Sequence, residues 1–257
     1  MSRTLINTAW LASAMLAAAA SLPAHAAGAN TNTDTTVVLV HGAFADGSSW
    51  EKVIPLLQAK GLKVVAVQNP LTSLADDVAA AQRVIDAQSG RVILVGHSWA
   101  GAVITQAGAN DKVKALVYVA AFAPAEGEVI GQLGEHYPVT PGIASLKPDA
   151  SGIIYMSAES MAANYASDLP AATARVMAAT QAPIWGKAFG DSVSVAAWKT
   201  RPSYYIVCSK DRMIQPALEQ AFAKKINAIT TVLSTSHVPM LSQPKAVAEV
   251  ILAAAKA

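Results

Sequence analysis

The stretch Arg91-Val92-Ile93-Leu94-Val95-Gly96-His97-Ser98-Trp99-Ala100-Gly101 decides how this chain folds. Its β-branched and aliphatic run reads as a strand covered on both faces, as inside a parallel sheet. A sharp turn with one serine at its apex follows, and then a helix. Gly96 and Gly101 remove side chains where the turn brings the strand and helix backbones together. Such a turn lifts Ser98 out of the sheet top and leaves backbone N–H groups of a helix N-terminus beside it. A hydroxyl next to free N–H donors suits acyl transfer, which needs a nucleophile and a cradle for an oxyanion. The pattern is Gly-x-Ser-x-Ala-Gly, with Ala100 where a second glycine is expected. Alanine is the smallest replacement and keeps the turn with tighter packing.

Outward from this turn, six apolar strand runs alternate with helical patterns. The strands are read at Thr36–His41, Leu62–Val67, Arg91–Val95, Lys114–Ala121, Ser203–Cys208 and Thr230–Leu233. Helices are read near Ser49–Ala59, Ala75–Ala87, Trp99–Ala109, Pro216–Ile226 and Pro244–Ala255. This alternation predicts an α/β fold with a doubly wound, mostly parallel six-stranded sheet. One interval breaks the rhythm. Between Ala121 and Trp198 no strand is legible, and six prolines punctuate short amphipathic pieces. A connection of this length inside one domain is usually functional. It reads as a helical lid inserted after the fourth strand, at about residues 124–197. Its aromatic and Met residues (Tyr137, Tyr155, Met156, Met161, Tyr165, Met177, Trp185, Phe189) divide between lid core and pocket wall in a way the sequence does not sort.

The bulk properties fit one α/β domain over residues 36–257. Of 257 residues 53% are hydrophobic, enough for a substantial core. The formal charge is only +2 and no Lys/Arg run stands out, so nucleic-acid binding has no electrostatic support. No window has the glycine spacing of a dinucleotide or phosphate loop, and no metal or organic cofactor is expected. The single cysteine, Cys208, excludes an intramolecular disulfide and sits in an apolar strand as a core residue.

The first residues carry a different signal. Arg3, the apolar run from Trp10 to Ala20 and the small residues Ala24 and Ala26 form a secretory signal peptide over residues 1–26. Residues 27–35 are small and polar and read as a loose leader. Too little mature chain precedes Thr36 for an extra hairpin, so the sheet is expected to be all parallel. A periplasmic or secreted bacterial protein is implied, without membrane attachment after cleavage.

A serine nucleophile needs a base, and the base needs an orienting carboxylate. On this type of sheet they follow in the order serine, acid, histidine. Downstream of Ser98 lie two histidines, His136 in the proline-rich insertion and His237 just beyond the last strand. His237 falls at the C-terminal edge of the sheet, where such folds place their sites, and is read as the base. Asp211, three residues past Cys208, is read as the acid, with Glu126 and Glu128 as alternatives. Asp76 and Asp77 are read as first-turn helix residues that favour the helix dipole. The oxyanion donors are read as the backbone N–H groups of Trp99 and of Phe44, in the loop after the first strand. His41 is read as a residue that holds this loop.

These motifs together resemble an α/β-hydrolase from Thr36 to the C-terminus. More narrowly, Val38-Leu39-Val40-His41-Gly42-Ala43-Phe44, the Ser98 turn, Asp211-Arg212-Met213-Ile214 and Ser236-His237-Val238-Pro239-Met240-Leu241 resemble the small bacterial esterase-like members related to plant methylesterases and hydroxynitrile lyases. The lyases of that group carry a lysine after the catalytic histidine and a threonine in the first-strand loop. Val238 and Gly42 stand there instead, so no ammonium group is in place to receive departing cyanide. Ser98 also sets the chain apart from haloalkane dehalogenases of this fold, which use aspartate at the turn. The reading is a serine carboxylesterase acting on a small to medium ester. The alternatives are lactone or amide hydrolysis, cofactor-free perhydrolysis, or a non-catalytic binding protein of the same fold.

Overall fold

The computed structural model describes residues 34–256. The expected signal peptide and residues 27–33 of the leader lie outside the described residues. In chain order come β1 (Thr35–Val40), α1 (Ile54–Gln58), β2 (Lys63–Val67), α2 (Leu74–Asp86), β3 (Arg91–His97), α3 (Ala100–Ala107) and β4 (Val113–Val119). An insertion then carries α4 (Pro141–Ala144), β5 (Lys147–Pro148), β6 (Ile153–Tyr155), α5 (Ala158–Ser160), α6 (Ala171–Thr180) and β7 (Ile184–Trp185). The chain resumes with β8 (Ser203–Cys208), α7 (Pro216–Lys225), β9 (Ile229–Leu233), α8 (Pro239–Ser242) and α9 (Pro244–Ala254).

Six strands form one sheet in the order β2-β1-β3-β4-β8-β9, and every neighbouring pair is parallel. Val92–Val95 of β3 and Ala115–Val119 of β4 are wholly buried, because helices cover both faces of the sheet centre. Each such aliphatic side chain contributes roughly 1.5–3 kcal/mol of burial. The edge strand β9 leaves Ile229 and Val232 exposed. The chain leaves β1 toward β2 on one side and returns to β3 on the other. The loops after β1 and β3 therefore diverge from neighbouring strand ends, and a crevice opens between them.

Two expectations are corrected. The helix expected over Ser49–Ala59 is a 3₁₀ turn at Gly47–Trp50 followed by the short α1. Asp46 caps the first piece by accepting the Ser48 N–H. Pro55 then lacks the N–H a continuing helix needs, so the helix restarts around it. The insertion is not purely helical, since β5, β6 and β7 form an antiparallel sheet of their own. Each of these strands has two or three residues, too few for alternation to register in a sequence.

Candidate active site

Ser98 stands in the turn between β3 and α3 with φ +55°, a left-handed conformation that costs a non-glycine residue roughly 1–2 kcal/mol. The turn is held on both sides. Ser98 N–H donates to Val119 O (3.2 Å), and Ser98 O accepts from Gly101 N–H (3.0 Å) and Phe122 N–H (3.2 Å). A Cβ on Gly101 would lie 1.9 Å from Phe122 O, and one on Gly96 2.6 Å from Ala100 O. Ala100 itself is buried at the start of α3, so its methyl is accommodated.

The loop after β9 brings His237, and the loop after β8 brings Asp211, to the same sheet edge. His237 Nε2 lies 2.8 Å from Ser98 Oγ, and His237 Nδ1 lies 2.5 Å from Asp211 Oδ2. Asp211 Oδ1 accepts the N–H groups of Met213 (2.6 Å) and Ile214 (3.0 Å). With Nδ1–H donated to the carboxylate, the Nε2 lone pair faces the Ser98 hydroxyl. His237 is wholly buried, and Asp211 and Ser98 are 5% and 9% exposed. Charges in this relay are therefore weakly screened.

Around the relay, neutral histidines support the backbone. Asn69 N–H donates to His41 Nε2 (2.9 Å), which leaves His41 Nδ1–H to donate to Gly42 O (2.9 Å). His97 Nε2–H donates to His237 O at 2.8 Å. Burial is the chief cause that holds both imidazoles below their ordinary pKa, His97 well below it.

Of the two N–H groups expected as oxyanion donors, one is engaged elsewhere. Trp99 N–H has no protein acceptor among the described residues. Phe44 N–H, expected as the second donor, donates to Ala182 O of the insertion at 3.1 Å. Phe44 itself has a left-handed φ of +61°. Among the described residues the Ala43 N–H, like those of Gly42, Ala45 and Asp46 on this loop, has no protein acceptor, and Ala43 directly follows the glycine that packs on Ser98. The preceding residue, Gly42, packs so closely that a Cβ there would lie 2.8 Å from Ser98 Cβ.

Other candidates settle elsewhere. Glu126 pairs with Lys199, and Glu128 with Lys225, so neither serves His237. His136 is exposed on the insertion. Asp76 accepts the Thr72 and Ser73 hydroxyls at the surface, whereas Asp77, also in the first turn of α2, points inward. Cys208 is buried and its thiol is pushed well above its ordinary pKa, first by burial. Behind Asp211, the fully buried Glu219 accepts Cys208 N–H through Oε2 at 2.9 Å. Burial first, and the neighbouring Asp211 second, push the Glu219 carboxyl well above its ordinary pKa. Among the described residues no cluster of three or more His, Cys, Asp or Glu side chains could hold a metal.

Several residues of this environment escape sequence reading. Asn164, Tyr165 and Asp168 of the insertion hydrogen-bond to the loops after β8, β1 and β9, and no motif marks them. Tyr165 is visible in the sequence only as one of several lid aromatics. It is wholly buried, its hydroxyl donates to Ala43 O (3.0 Å), and its ring stands edge-to-face on His237 at 5.0 Å. Tyr137 and Phe189 instead line a cavity of about 420 Å³, together with Phe122, Ile130, Met213, Ile214 and Leu218. Of its lining residues, Phe122 donates its N–H to Ser98 O, and Met213 and Ile214 donate theirs to Asp211.

The model of the alpha/beta hydrolase family matches residues 37–250. A probable hydrolase of Phoma sp. is 26% identical over 247 residues, covering 85% of this chain and 97% of that one. A pyrethroid hydrolase of Sphingobium wenxiniae is 27% identical over 255 residues, covering 85% and 87%. Among solved structures, polyneuridine aldehyde esterase superposes with a TM-score of 0.73 at 18% identity, covering 86% of this chain and 98% of that chain.

Proposed function

Because the chain belongs to the alpha/beta hydrolase family, we propose that it is a serine-dependent carboxylic ester hydrolase that works through an acyl-enzyme on small to medium esters. The observation that carries this reading is the hydrogen-bonded line Ser98 Oγ, His237 Nε2, His237 Nδ1, Asp211 Oδ2. His237 Nε2 takes the hydroxyl proton as Ser98 Oγ bonds to the ester carbon. Trp99 N–H and Ala43 N–H receive the negative oxygen. The imidazolium, held by Asp211, returns its proton to the leaving alcohol oxygen as the C–O bond breaks. Water, deprotonated by His237, then attacks the acyl-enzyme and releases the acid and Ser98.

The apolar cavity supports an ester with an apolar acyl or alcohol part, and the insertion that covers the site serves as a lid. Relatives named for hydrolysis of pyrethroids support the same class. We place the mature chain in the periplasm or outside the cell, after cleavage behind Ala26. Among the described residues no helix is long and apolar enough to cross a membrane.

The test is the intact mass of the secreted protein before and after a fluorophosphonate probe, followed by a p-nitrophenyl ester series. One adduct on the wild type, absent from Ser98→Ala and His237→Ala, with ester turnover, is expected. Full turnover by Ser98→Ala would overturn the mechanism. The unlabelled mass reports the cleavage site.

A further inference from the structure

A five-residue span of the insertion reaches three of the loops around Ser98, those after β1, β8 and β9. Asn164 Oδ1 accepts Arg212 Nε–H at 3.0 Å, next to Asp211. The Tyr165 hydroxyl donates to Ala43 O at 3.0 Å, in the loop after β1. Asp168 Oδ2 accepts Ser236 N–H at 2.9 Å, and Asp168 Oδ1 accepts the Ser236 hydroxyl, next to His237. These partners lie 48, 122 and 68 positions away in sequence. We propose that segment 164–168 is a fixed brace of the catalytic centre, and that Asp168, through Ser236, is a positioning residue for His237.

The loop from Ser234 to Val238 belongs to neither β9 nor α8, so its backbone needs anchors from outside. One is His97, which holds the His237 carbonyl. A second is Lys210 N–H, which donates to Thr235 O at 3.1 Å, and a third is Asp168, which takes both donors of the wholly buried Ser236. His97 and Asp168 together clamp the backbone on either side of the His237 Cα. The imidazole must then meet Ser98 and Asp211 at once, and small displacements of such a group are costly to rate. Asp168 itself is exposed, so its replacement opens no core cavity. The other end of the acid loop is held by the insertion too, through Gly142 N–H to Arg212 O (2.9 Å) and Thr140 Oγ1–H to Met213 O (2.7 Å).

The brace rests on the serine mechanism proposed above, and its test separates the two. Wild-type protein is first labelled with the fluorophosphonate probe. Absence of labelling would overturn the serine mechanism and the brace with it. Given labelling, kcat and KM for p-nitrophenyl butyrate, the labelling rate and the melting temperature are measured for Asp168→Ala, Asp168→Asn, Ser236→Ala and the Asp168→Ala/Ser236→Ala pair. Asp168→Ala is expected to lower kcat and the labelling rate roughly 10- to 100-fold with KM unchanged. Asp168→Asn keeps an acceptor for Ser236 N–H and is expected to recover most of the loss. The double variant is expected to lose no more than the worse single one, since both act through the same bonds. An unchanged kcat in Asp168→Ala, whatever its melting temperature, would overturn the positioning role. So would an Asp168→Asn variant as slow as Asp168→Ala, which would mark a charge effect, or a fully additive double variant.

Discussion

Asp77 accepts the indole N–H of Trp99 at 2.7 Å, so the residue that follows Ser98 is tied to the first turn of a helix 22 positions upstream. The second Asp77 oxygen accepts Leu71 N–H at 2.8 Å, in a loop where Leu71 takes a left-handed φ of +56°. The carboxyl is wholly buried. Burial pushes its pKa up to about 6 against the opposing effect of these two hydrogen bonds.

The direction of the resulting pH dependence follows from linkage. The unfolded value is about 3.9, so the folded state binds this proton more tightly. The stability from Asp77 is full below about pH 4, falls as pH rises to about 6, and is constant above. A pKa raised from about 3.9 to about 6 sets an upper limit of about 3 kcal/mol. Asp77→Asn removes this component, so the wild type should lose stability relative to the variant across that window. Urea unfolding of both proteins at several pH values measures it, and parallel curves would count against the assignment.

Tyr165→Phe tests the grip on the loop after β1. It removes the bond to Ala43 O while leaving the ring on His237. A stability loss of about 0.5–1.5 kcal/mol is expected, with a lower kcat and an unchanged KM. Kinetics at the wild-type rate would show that the loop is oriented without this hydroxyl.

Gly101→Ala places a methyl carbon 1.9 Å from the Phe122 carbonyl oxygen. That oxygen is backbone and cannot swing aside, so the turn itself must shift. Overpacking of this kind costs about 1–3 kcal/mol or more. A thermal melt indistinguishable from wild type would contradict the close approach.

Glu219 is predicted to behave as a neutral acid behind Asp211. Glu219→Gln, neutral and of similar shape, should retain the bond from Cys208 N–H and leave kcat unchanged. Glu219→Ala strands that buried N–H at a cost of about 1–3 kcal/mol. Urea unfolding and ester kinetics distinguish the two variants. Equal damage from Gln and Ala would mean that Glu219 is ionised in the folded protein.

Much of this molecule is legible in the chain itself. The central strands announce themselves because burial on both faces demands unbroken apolar runs, and the Ser98 turn because its glycines stand where backbone approaches too closely for a side chain. The weak points are short or interrupted elements. Pro55 divides what reads as one helix, and β5 to β7 are too brief to carry a period. The site is legible where local pattern carries it. Ser98, Asp211 and His237 each follow a strand, and the parallel sheet brings strand ends to one edge.

The side-chain periods and turn residues of the sequence by themselves determined the six-stranded sheet, the longer helices beside it and the order in which a serine, a carboxylate and a histidine reach that edge. Only the tertiary structure decided which N–H groups remain free beside Ser98, because Phe44 meets a carbonyl that arrives from residue 182. It alone also turned Asp77 inward and set Asp168 against Ser236. Those partners are ordinary polar residues separated by tens of positions, and a hydrogen bond between them has no local trace. Its energy appears only after the hydrophobic core has brought the loops together.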